Sequence, residues 1–177
     1  DIGGGSAEII EADNGAVRAA FSRPLGAVRL QSVFLNNDPP RAADLLRMEE
    51  YIEEKLAVVL RRITSGGFAR AIGTSASASA IVCAANRLPR ARRELADRRK
   101  ATLPQIRRLY KALAAMNVTE RRVVPGIGPR RAEIIVPGAA VLAAVLRHFA
   151  IPQLAYCAAG VRDGILRDLA DRGVGRE

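Results

Sequence analysis

The sequence opens with a carboxylate and a run of three glycines, in the segment Asp1-Ile2-Gly3-Gly4-Gly5-Ser6. After it, the stretches 7–11 and 16–21 flank Asp13-Asn14-Gly15, a pattern that predicts two strands joined by a tight hairpin. Glycine adds no side-chain bulk, so consecutive N–H groups of such a turn can point together at a phosphate. The start of the chain is therefore predicted to be a strand, a glycine turn that can cradle an anion, and a hairpin.

A second turn of small residues, Gly73-Thr74-Ser75, follows the short apolar run 68–72 and precedes the alanine-rich stretch 76–86. This order of strand, turn and helix places amides and two hydroxyls where they can meet another part of the same ligand. Asp1 would repel a phosphate in the first turn unless a divalent cation lay between them. The combination of residue types therefore predicts Asp1 as a ligand of Mg²⁺, directly or through water.

Helices are predicted for most of the remaining chain, because apolar residues recur there at three- and four-residue spacing. The predicted helices cover residues 26–35, 41–63, 76–86, 102–116, 132–149 and 160–169. Thr102 is the predicted N-cap of its helix, and Pro137-Gly138 predicts a kink or a break near the start of the helix that contains it. In the last helix Ile165, Leu166 and Leu169 are predicted to face inward. With a further strand at 153–157, the predicted class is α/β, a mixed sheet that begins with a hairpin and is covered by helices.

The composition narrows the range of partners. A formal charge of +10 predicts attraction to polyanions without separating nucleic acid, anionic lipid and polyphosphate. Aromatic residues make up 4% of the chain and Trp is absent, so base-stacking platforms are missing and we do not expect a nucleic-acid partner. Cys83 and Cys157 lie in apolar stretches without metal-ligand spacing, which predicts reduced, buried thiols and a cytoplasmic location. No stretch has the length and apolarity of a membrane helix, so no membrane partner is expected.

Basic residues outside the two turns permit more than one interpretation. Arginine dominates residues 87–101, which are predicted to be an exposed connection, either a solvated face or a track for a long polyanion. Arg131, at a predicted helix start, could contact phosphate or nucleotide, and a surface ion pair is the alternative. His148 has no partner at metal-ligand spacing and is predicted to be structural.

Several segments, in order along the chain, resemble the motifs of one known family. Asp1-Ile2-Gly3-Gly4-Gly5-Ser6-Ala7-Glu8 is similar to D-I-G-G-G-S-T-E, and Gly73-Thr74-Ser75 to a later G-T-S/G turn. Residues 129–142 resemble P-x-R-A-D … G-A-A-x-L, and residues 160–166 resemble G-L-R-E-G-x-L. The family is that of the exopolyphosphatases and guanosine-pentaphosphate phosphohydrolases (Ppx/GppA). Its core has the actin-like, ribonuclease H-like fold shared with sugar kinases and heat-shock ATPases. The chain departs from these motifs at Ala7, Ala76, Glu133, Cys157 and Asp163.

The resemblance implies a magnesium-dependent hydrolase that releases terminal phosphate from inorganic polyphosphate or the 5′ phosphate of guanosine pentaphosphate. It implies catalytic roles for Asp1, which also assists the metal, and for Glu8, which could orient water. The residues that it implies for phosphate binding are Gly3, Gly4, Gly5, Ser6, Gly73, Thr74, Ser75 and Arg131. Electrostatic stabilisation of the transferred phosphoryl group would supply most of the catalysis.

The resemblance also implies that residues 1–177 form the second, C-terminal lobe of such an enzyme. The family's first phosphate motif and its catalytic-base glutamate lie in an N-terminal lobe upstream of D-I-G-G-G-S, and this lobe is the expected partner. Alone, the chain is expected to hydrolyse polyphosphate poorly or not at all. The alternative to a hydrolase lobe is a non-catalytic module that binds polyanions or nucleotides. A kinase of the same superfamily is disfavoured. The chain could also form a homodimer.

Overall fold

A computed structural model provides the structure of the chain and describes residues 1–63 and 67–173. The elements in chain order are β1 (Ala7–Asp13), β2 (Ala16–Arg23), α1 (Ala27–Phe34), α2 (Ala42–Leu60), β3 (Ala71–Gly73), α3 (Ala76–Ala85), a 3₁₀ helix (Arg90–Ala96), β4 (Lys100–Thr102), α4 (Leu103–Ala115), α5 (Val118–Arg122), α6 (Pro129–Ala132), α7 (Ile135–His148), β5 (Gln153–Tyr156) and α8 (Val161–Asp171). This order of strands and helices confirms the predicted α/β class.

The described strands form two separate sheets. β1 and β2 make the predicted antiparallel hairpin, which turns at Asn14 and Gly15, both with positive φ as a tight two-residue hairpin turn requires. The second sheet has the strand order β3-β5-β4, with β3 parallel and β4 antiparallel to β5. The sheet is therefore mixed, as predicted. The prediction that this sheet begins with the hairpin is wrong, because among the described strands β1 and β2 pair only with each other and form a separate sheet.

The core is organised around α7, which packs against α1, α2, α3 and α4. Small residues make this possible, because a Cβ on Gly138 would lie only 3.1 Å from the Ser77 side chain of α3. Large side chains from the surrounding helices fill the space around it; fully buried among them are Leu30, Met48, Ile52, Ile81, Ile106 and Leu113. Each such burial contributes roughly 1.5–3 kcal/mol, so packing around α7 is the main source of stability in the fold.

The kink or break predicted near the start of the long apolar helix is present as a break, but its predicted position at Pro137 and Gly138 is wrong. α7 begins at Ile135, and the break lies before it, at Ile134, whose φ of −126° and ψ of 9° are not helical. Pro137 therefore falls in the first turn of the helix, where a backbone N–H has no intrahelical acceptor and its absence breaks no hydrogen bond. The predicted capping of α4 is confirmed, since the Thr102 side chain accepts from the backbone N–H of Gln105.

The predicted burial in the last helix is also wrong. α8 contains no buried residue, and Ile165, Leu166 and Leu169 are 53%, 67% and 41% exposed. The periodicity identified a helix with an apolar side, but nothing in the described part of the chain covers that side.

The remaining predictions about single residues are largely confirmed. Both cysteines are free; Cys83 is buried, whereas Cys157 is only half-buried. His148 contacts Glu53 with 2.5 Å between Nε2 and the carboxylate, which fits its predicted structural role. Among the helices of the described residues, none has both the length and the apolarity needed to cross a membrane.

Candidate functional site

The glycine run forms a tight turn between two short extended segments. Ile2 pairs with Ala7 in an antiparallel bridge, and the N–H of Glu8 donates to the carbonyl of Asp1 at 2.8 Å. Inside the turn, the N–H of Gly3 donates to the carbonyl of Ser6 at 2.9 Å. The chain thus reverses within four residues and continues directly into β1.

The beginning of α1 lies against this turn and holds its carbonyl groups. The N–H of Ala27 donates to the Gly3 carbonyl at 2.9 Å, and the N–H of Arg29 donates to the Gly4 carbonyl at 3.0 Å. The Arg29 side chain completes the set, since its Nε donates to the Gly5 carbonyl at 3.2 Å. Three consecutive carbonyls of the turn are therefore directed toward α1.

This arrangement fixes the direction of the opposite groups of the same peptides. In a trans peptide the N–H points away from the C=O, so the N–H groups of Gly4, Gly5 and Ser6 are directed away from α1. Within residues 1–63 and 67–173, none of these three N–H groups has a hydrogen-bond acceptor. Three adjacent, unpaired N–H donors on one side of a turn are the geometry of an anion-binding nest.

Close packing explains why Gly26 precedes α1. A Cβ at Gly26 would lie within 3.0 Å of backbone atoms of Gly4 and Gly5, a distance that real Cβ atoms essentially never show. By contrast, a Cβ at Gly5 would meet nothing within 4 Å. The turn therefore has one side packed against α1 and open space beside Gly5.

Asp1 connects the two turns that the sequence singled out. The Thr74 hydroxyl donates to Asp1 Oδ2 at 2.8 Å, across 73 residues of sequence. Asp1 is exposed and Thr74 is half-buried, so the pair lies at the surface beside the glycine turn. This contact shows that the two turns lie next to each other, and their binding of one ligand stays a prediction.

Glu8 is held close to the turn by two hydroxyl groups. Its Oε1 accepts hydrogen bonds from Ser6 at 2.6 Å and from Ser22 on β2 at 3.0 Å. The Ser6 hydrogen bond lowers the pKa of the Glu8 carboxyl; partial desolvation opposes this, and Ser22 adds to it. The carboxylate is therefore ionised at neutral pH and fixed in orientation.

The second turn uses its small residues for packing and capping. Gly73 is buried, and a Cβ there would lie 2.7 Å from the Ala78 side chain and 3.1 Å from Leu154. The buried Ser75 hydroxyl accepts from the N–H of Ala78 at 3.0 Å and so caps α3. Both hydroxyls of this turn therefore have protein partners, and their binding of phosphate stays a prediction.

Arg131 lies in a different environment from the other predicted site residues. It is half-buried in α6, and its pKa is lowered first by burial and then by the nearby charge of Arg90. None of its described interactions is with either turn, so a role in phosphate binding there stays a prediction.

Arg29 and Ser22 are the residues of this site that the sequence did not single out. Both lie outside the glycine segments, and their contacts with the turn depend on how the hairpin and α1 fold back. A glycine directly before a predicted helix, as at Gly26, was the one available signal of a close backbone approach.

The turn, its carboxylates and the order of elements match one family along nearly the whole chain. The model of the Ppx/GppA phosphatase family matches residues 1–173. The chain belongs to this family. Exopolyphosphatase 1 of Mycobacterium leprae is 30% identical to the chain over 180 residues, and exopolyphosphatase 2 of Mycobacterium tuberculosis is 31% identical over 180 residues. These matches cover 94% and 96% of the chain but only 49% and 54% of the relatives, so the chain spans about half their length.

Solved structures of Ppx/GppA proteins have the same fold. An exopolyphosphatase from Cytophaga hutchinsonii superimposes with a TM-score of 0.83 at 25% identity, over 97% of this chain and 55% of that one. The Aquifex aeolicus PPX-GPPA enzyme gives a TM-score of 0.83 at 23% identity, over 94% of this chain and 55% of that one. The predicted actin-like class is therefore confirmed.

Proposed function

We propose that the chain is the phosphate-binding second lobe of a hydrolase that releases terminal phosphate from inorganic polyphosphate. The relatives named exopolyphosphatase support the reaction class, and they are about twice as long as the matched part. Guanosine pentaphosphate is a second candidate substrate, and only the membership of the chain in the Ppx/GppA family supports it. The polyphosphate reaction is the better supported of the two.

The single observation that carries this proposal is the set of three unpaired N–H groups at Gly4, Gly5 and Ser6. A terminal phosphate offers several acceptor oxygens, and hydrogen bonds from backbone N–H to an oxyanion are stronger than those between neutral groups. The Arg29 guanidinium contacts the Gly5 carbonyl on the opposite side of the turn, where it helps to hold the N–H groups in this orientation. Since the donors are held in place by α1, they need little rearrangement to meet a phosphate.

The residues around the turn fit a magnesium ion bound together with a phosphate. Mg²⁺ prefers carboxylate, water and phosphate oxygens and rarely occupies a cage built from protein groups alone. Asp1 and Glu8 supply carboxylates at the turn, and no cluster of three or more metal-ligating side chains occurs among the described residues. When bound, the ion would neutralise charge between carboxylate and phosphate. We assign Asp1 to hold it, and Glu8 to orient the attacking water.

Alanine in place of Gly5 tests directly whether the N–H groups of the glycine turn bind phosphate. The new methyl group has room in the folded chain, so we expect the free energy of unfolding to change by less than about 1 kcal/mol. Because the methyl group projects beside the N–H donors, we expect affinity for tripolyphosphate with Mg²⁺ to fall about tenfold. This corresponds to a loss of about 1.4 kcal/mol in the free energy of binding. Isothermal titration of both proteins measures the difference.

Gly164→Ala is the matched control for this substitution. Gly164 also has no atom within 4 Å of a Cβ, and it lies in α8, away from the turn. It should bind tripolyphosphate like the parent chain. Equal affinities for the Gly5→Ala variant and the parent would show that tripolyphosphate does not bind to the N–H groups of the glycine turn.

Restoring the sequence upstream of Asp1 tests whether this lobe needs a partner for catalysis. A general base contributes roughly 10²–10⁴-fold, and the family resemblance assigns that base to the upstream lobe. We therefore expect phosphate release from polyphosphate to rise at least about a hundredfold in the longer chain. A steady-state phosphate-release assay on both chains measures this.

The extended chain that carries Gly5→Ala should release phosphate well below the rate of the extended parent, because its glycine turn binds phosphate more weakly. Full-rate hydrolysis by the 177-residue chain alone would contradict the need for a partner. Binding of polyphosphate without any release from the extended chain would favour the non-catalytic polyanion-binding module.

A further inference from the structure

Ser22, near the end of β2, lies beside the candidate site but outside every motif that the sequence singled out. Its hydroxyl donates to Oε1 of Glu8 at 3.0 Å, and the Ser6 hydroxyl donates to the same oxygen at 2.6 Å. Within residues 1–63 and 67–173, Oε2 of Glu8 has no hydrogen-bond partner. Two donors therefore hold one oxygen of this carboxylate and leave the other oxygen available.

The two donors reach the carboxylate from different elements of the fold. Ser6 is two residues from Glu8, at the end of the glycine turn, whereas Ser22 comes from the neighbouring strand, 14 residues away. The last torsion of a glutamate side chain is broad, so a single donor leaves the carboxylate group much freedom to rotate. A second donor from a separate strand restricts this rotation, and Ser22 supplies it.

A β-bulge sets the strand pairing that brings Ser22 to Glu8. Next to the turn of the hairpin, Ala12 pairs with Val17. An unshifted ladder would continue from this pair to place Phe21 opposite Glu8. The register instead shifts by one residue just beyond the pair, so Ser22 lies opposite Glu8. Because successive side chains of a strand point to opposite faces, this shift moves the Ser22 hydroxyl onto the face that carries Glu8. Bulges next to functional sites re-aim side chains in this way.

The backbone of Ser22 is fixed by the residues that follow it. Arg23 pairs with Ala7, which is 1% exposed. Leu25 is fully buried, its N–H donates to the Arg23 carbonyl at 2.7 Å, and Gly26 then packs against the glycine turn. Ser22 itself is exposed. An exposed hydroxyl on a fixed backbone can hold another side chain while contributing little to the core.

The face of the hairpin that carries Glu8 and Ser22 is open to solvent. Ile10 is the next residue of β1 on this face, and it is 61% exposed. Glu8 is half-buried, so its carboxylate lies at the edge of the glycine turn rather than beneath it. Water can therefore approach the available oxygen of Glu8 from this side.

We propose that Ser22 is a positioning residue of the hydrolase reaction. Together with Ser6 it holds Oε1 of Glu8, so that Oε2 is the oxygen that orients the attacking water. This rests on the proposed function, which assigns Glu8 to that water. A misplacement of about 1 Å in a reacting geometry can cost about a hundredfold in rate, so the orientation of the carboxylate matters for catalysis. Ser22 does not touch phosphate in this assignment, and its loss should leave phosphate binding unchanged.

Ser22→Ala tests the assignment in the chain with its upstream sequence restored. Since Ser6 still holds the carboxylate, we expect kcat for phosphate release from polyphosphate to fall about tenfold rather than a hundredfold. KM should stay within about twofold, because binding of the ground state is untouched. Ser22→Thr keeps the hydroxyl on a side chain that suits a strand, so it should recover most of kcat. Steady-state phosphate-release kinetics measure both constants.

A double-mutant cycle with Glu8→Ala shows whether Ser22 acts through Glu8. The chain that carries both substitutions should be no slower than Glu8→Ala alone, because Ser22 has no carboxylate left to hold. Additive losses would overturn the positioning role. Ser32→Ala is the matched control; it removes an exposed hydroxyl that donates to the Arg29 carbonyl within α1, and its kcat should equal that of the parent.

Carboxyl-carbon NMR with labelled glutamate tests the contact in the 177-residue chain without any catalysis. Ser22→Ala should shift the resonance that Glu8→Ala removes, while the midpoint of urea denaturation is unchanged. A resonance that does not move would show that Ser22 does not hold Glu8, and would overturn the proposal.

The positioning role and the hydrolase function fail in different ways. If the extended parent releases no phosphate, the hydrolase function fails and the catalytic role of Ser22 fails with it. If the extended parent is active and Ser22→Ala has the same kcat, only the positioning role is overturned. A loss of tripolyphosphate affinity as large as the loss of kcat would place Ser22 in the phosphate site itself, which also overturns this role.

Discussion

Replacing Gly26 with alanine should lower the free energy of unfolding by about 3 kcal/mol and abolish most phosphate binding at the glycine turn. At an unstrained position the same change would stabilise a protein by about 0.4–1 kcal/mol, and Gly26 has an ordinary φ of −68°. The sign is reversed here because the new Cβ would lie within 3.0 Å of the Gly4 and Gly5 backbone. Overpacking against atoms that cannot rotate away costs about 1–3 kcal/mol, and the hydrogen bonds from α1 to the turn would be lost with it.

The effect on binding follows from the direction of the peptides. If α1 is pushed away, the carbonyls of Gly3 and Gly4 lose their donors, and the N–H groups of the turn lose their common orientation. Urea denaturation and titration with tripolyphosphate measure the two effects on one protein. Gly5→Ala is the control for stability, because it changes the other side of the same turn without a clash. A Gly26→Ala chain as stable as the parent would show that the turn does not depend on α1.

The glycine turn and the helix after the hairpin were both predictable from the sequence, but their contact was not. Small residues in a row and apolar periodicity are local signals, and they identified the turn and α1 nearly at their observed bounds. The packing of Gly26 against Gly4 depends on the hairpin returning the chain to its start. For the same reason Arg29 and Ser22 were missed, since each reaches the turn only through that return.

The predictions about Pro137 and about α8 failed for a common physical reason, because both treated a local pattern as if it described the surroundings. Pro137 disrupts a helix interior but not a first turn, and the position of the helix start depends on the non-helical Ile134 before it. An apolar stripe such as that of α8 shows that some surface is available for burial, and does not show what covers it. Sequence periodicity therefore predicted the elements better than their contacts.

The candidate site was predicted in part because its residue types are chemically unusual together. A carboxylate beside three glycines has few structural uses, and the contact of Asp1 with Thr74 brings the two predicted turns together. Arg131 had no comparable signal, because an arginine at a helix start is common on any surface. The structure places it beside Arg90, a neighbour that periodicity could not identify.

Arg121→Met is expected to be the most destabilising exchange of a charged residue in the described chain. Arg121 is 2% exposed and donates to the backbone carbonyls of Leu113 at 2.8 Å, Met116 at 2.6 Å and Ala132 at 3.3 Å. It also pairs with Asp38 at 3.2 Å. Burial lowers the pKa of this guanidinium and Asp38 opposes that effect, so the charge depends on its partners for solvation.

Methionine keeps much of the side-chain volume and removes all of these hydrogen bonds. The three carbonyls at the ends of α4 and α6 would lose their donor, and a buried acceptor left without a partner costs about 1–3 kcal/mol. Asp38 is 41% exposed and adds little to this loss, because water can solvate it. We expect a loss of about 3–5 kcal/mol in the free energy of unfolding, measured by urea denaturation. The slope of this free energy against urea concentration should be unchanged. Arg121→Lys should recover only part of it, because an ammonium group cannot reach carbonyls in several directions at once.

Arg122→Met is the matched control, at the next position in the same helix. Its side chain is 46% exposed and pairs with the exposed Glu133 at 3.3 Å, so its removal should cost no more than about 1 kcal/mol. Equal losses for the two neighbours would mean that the cost comes from the helix or the net charge. A loss confined to Arg121 would show that this buried guanidinium holds together α4, α6 and the segment containing Asp38.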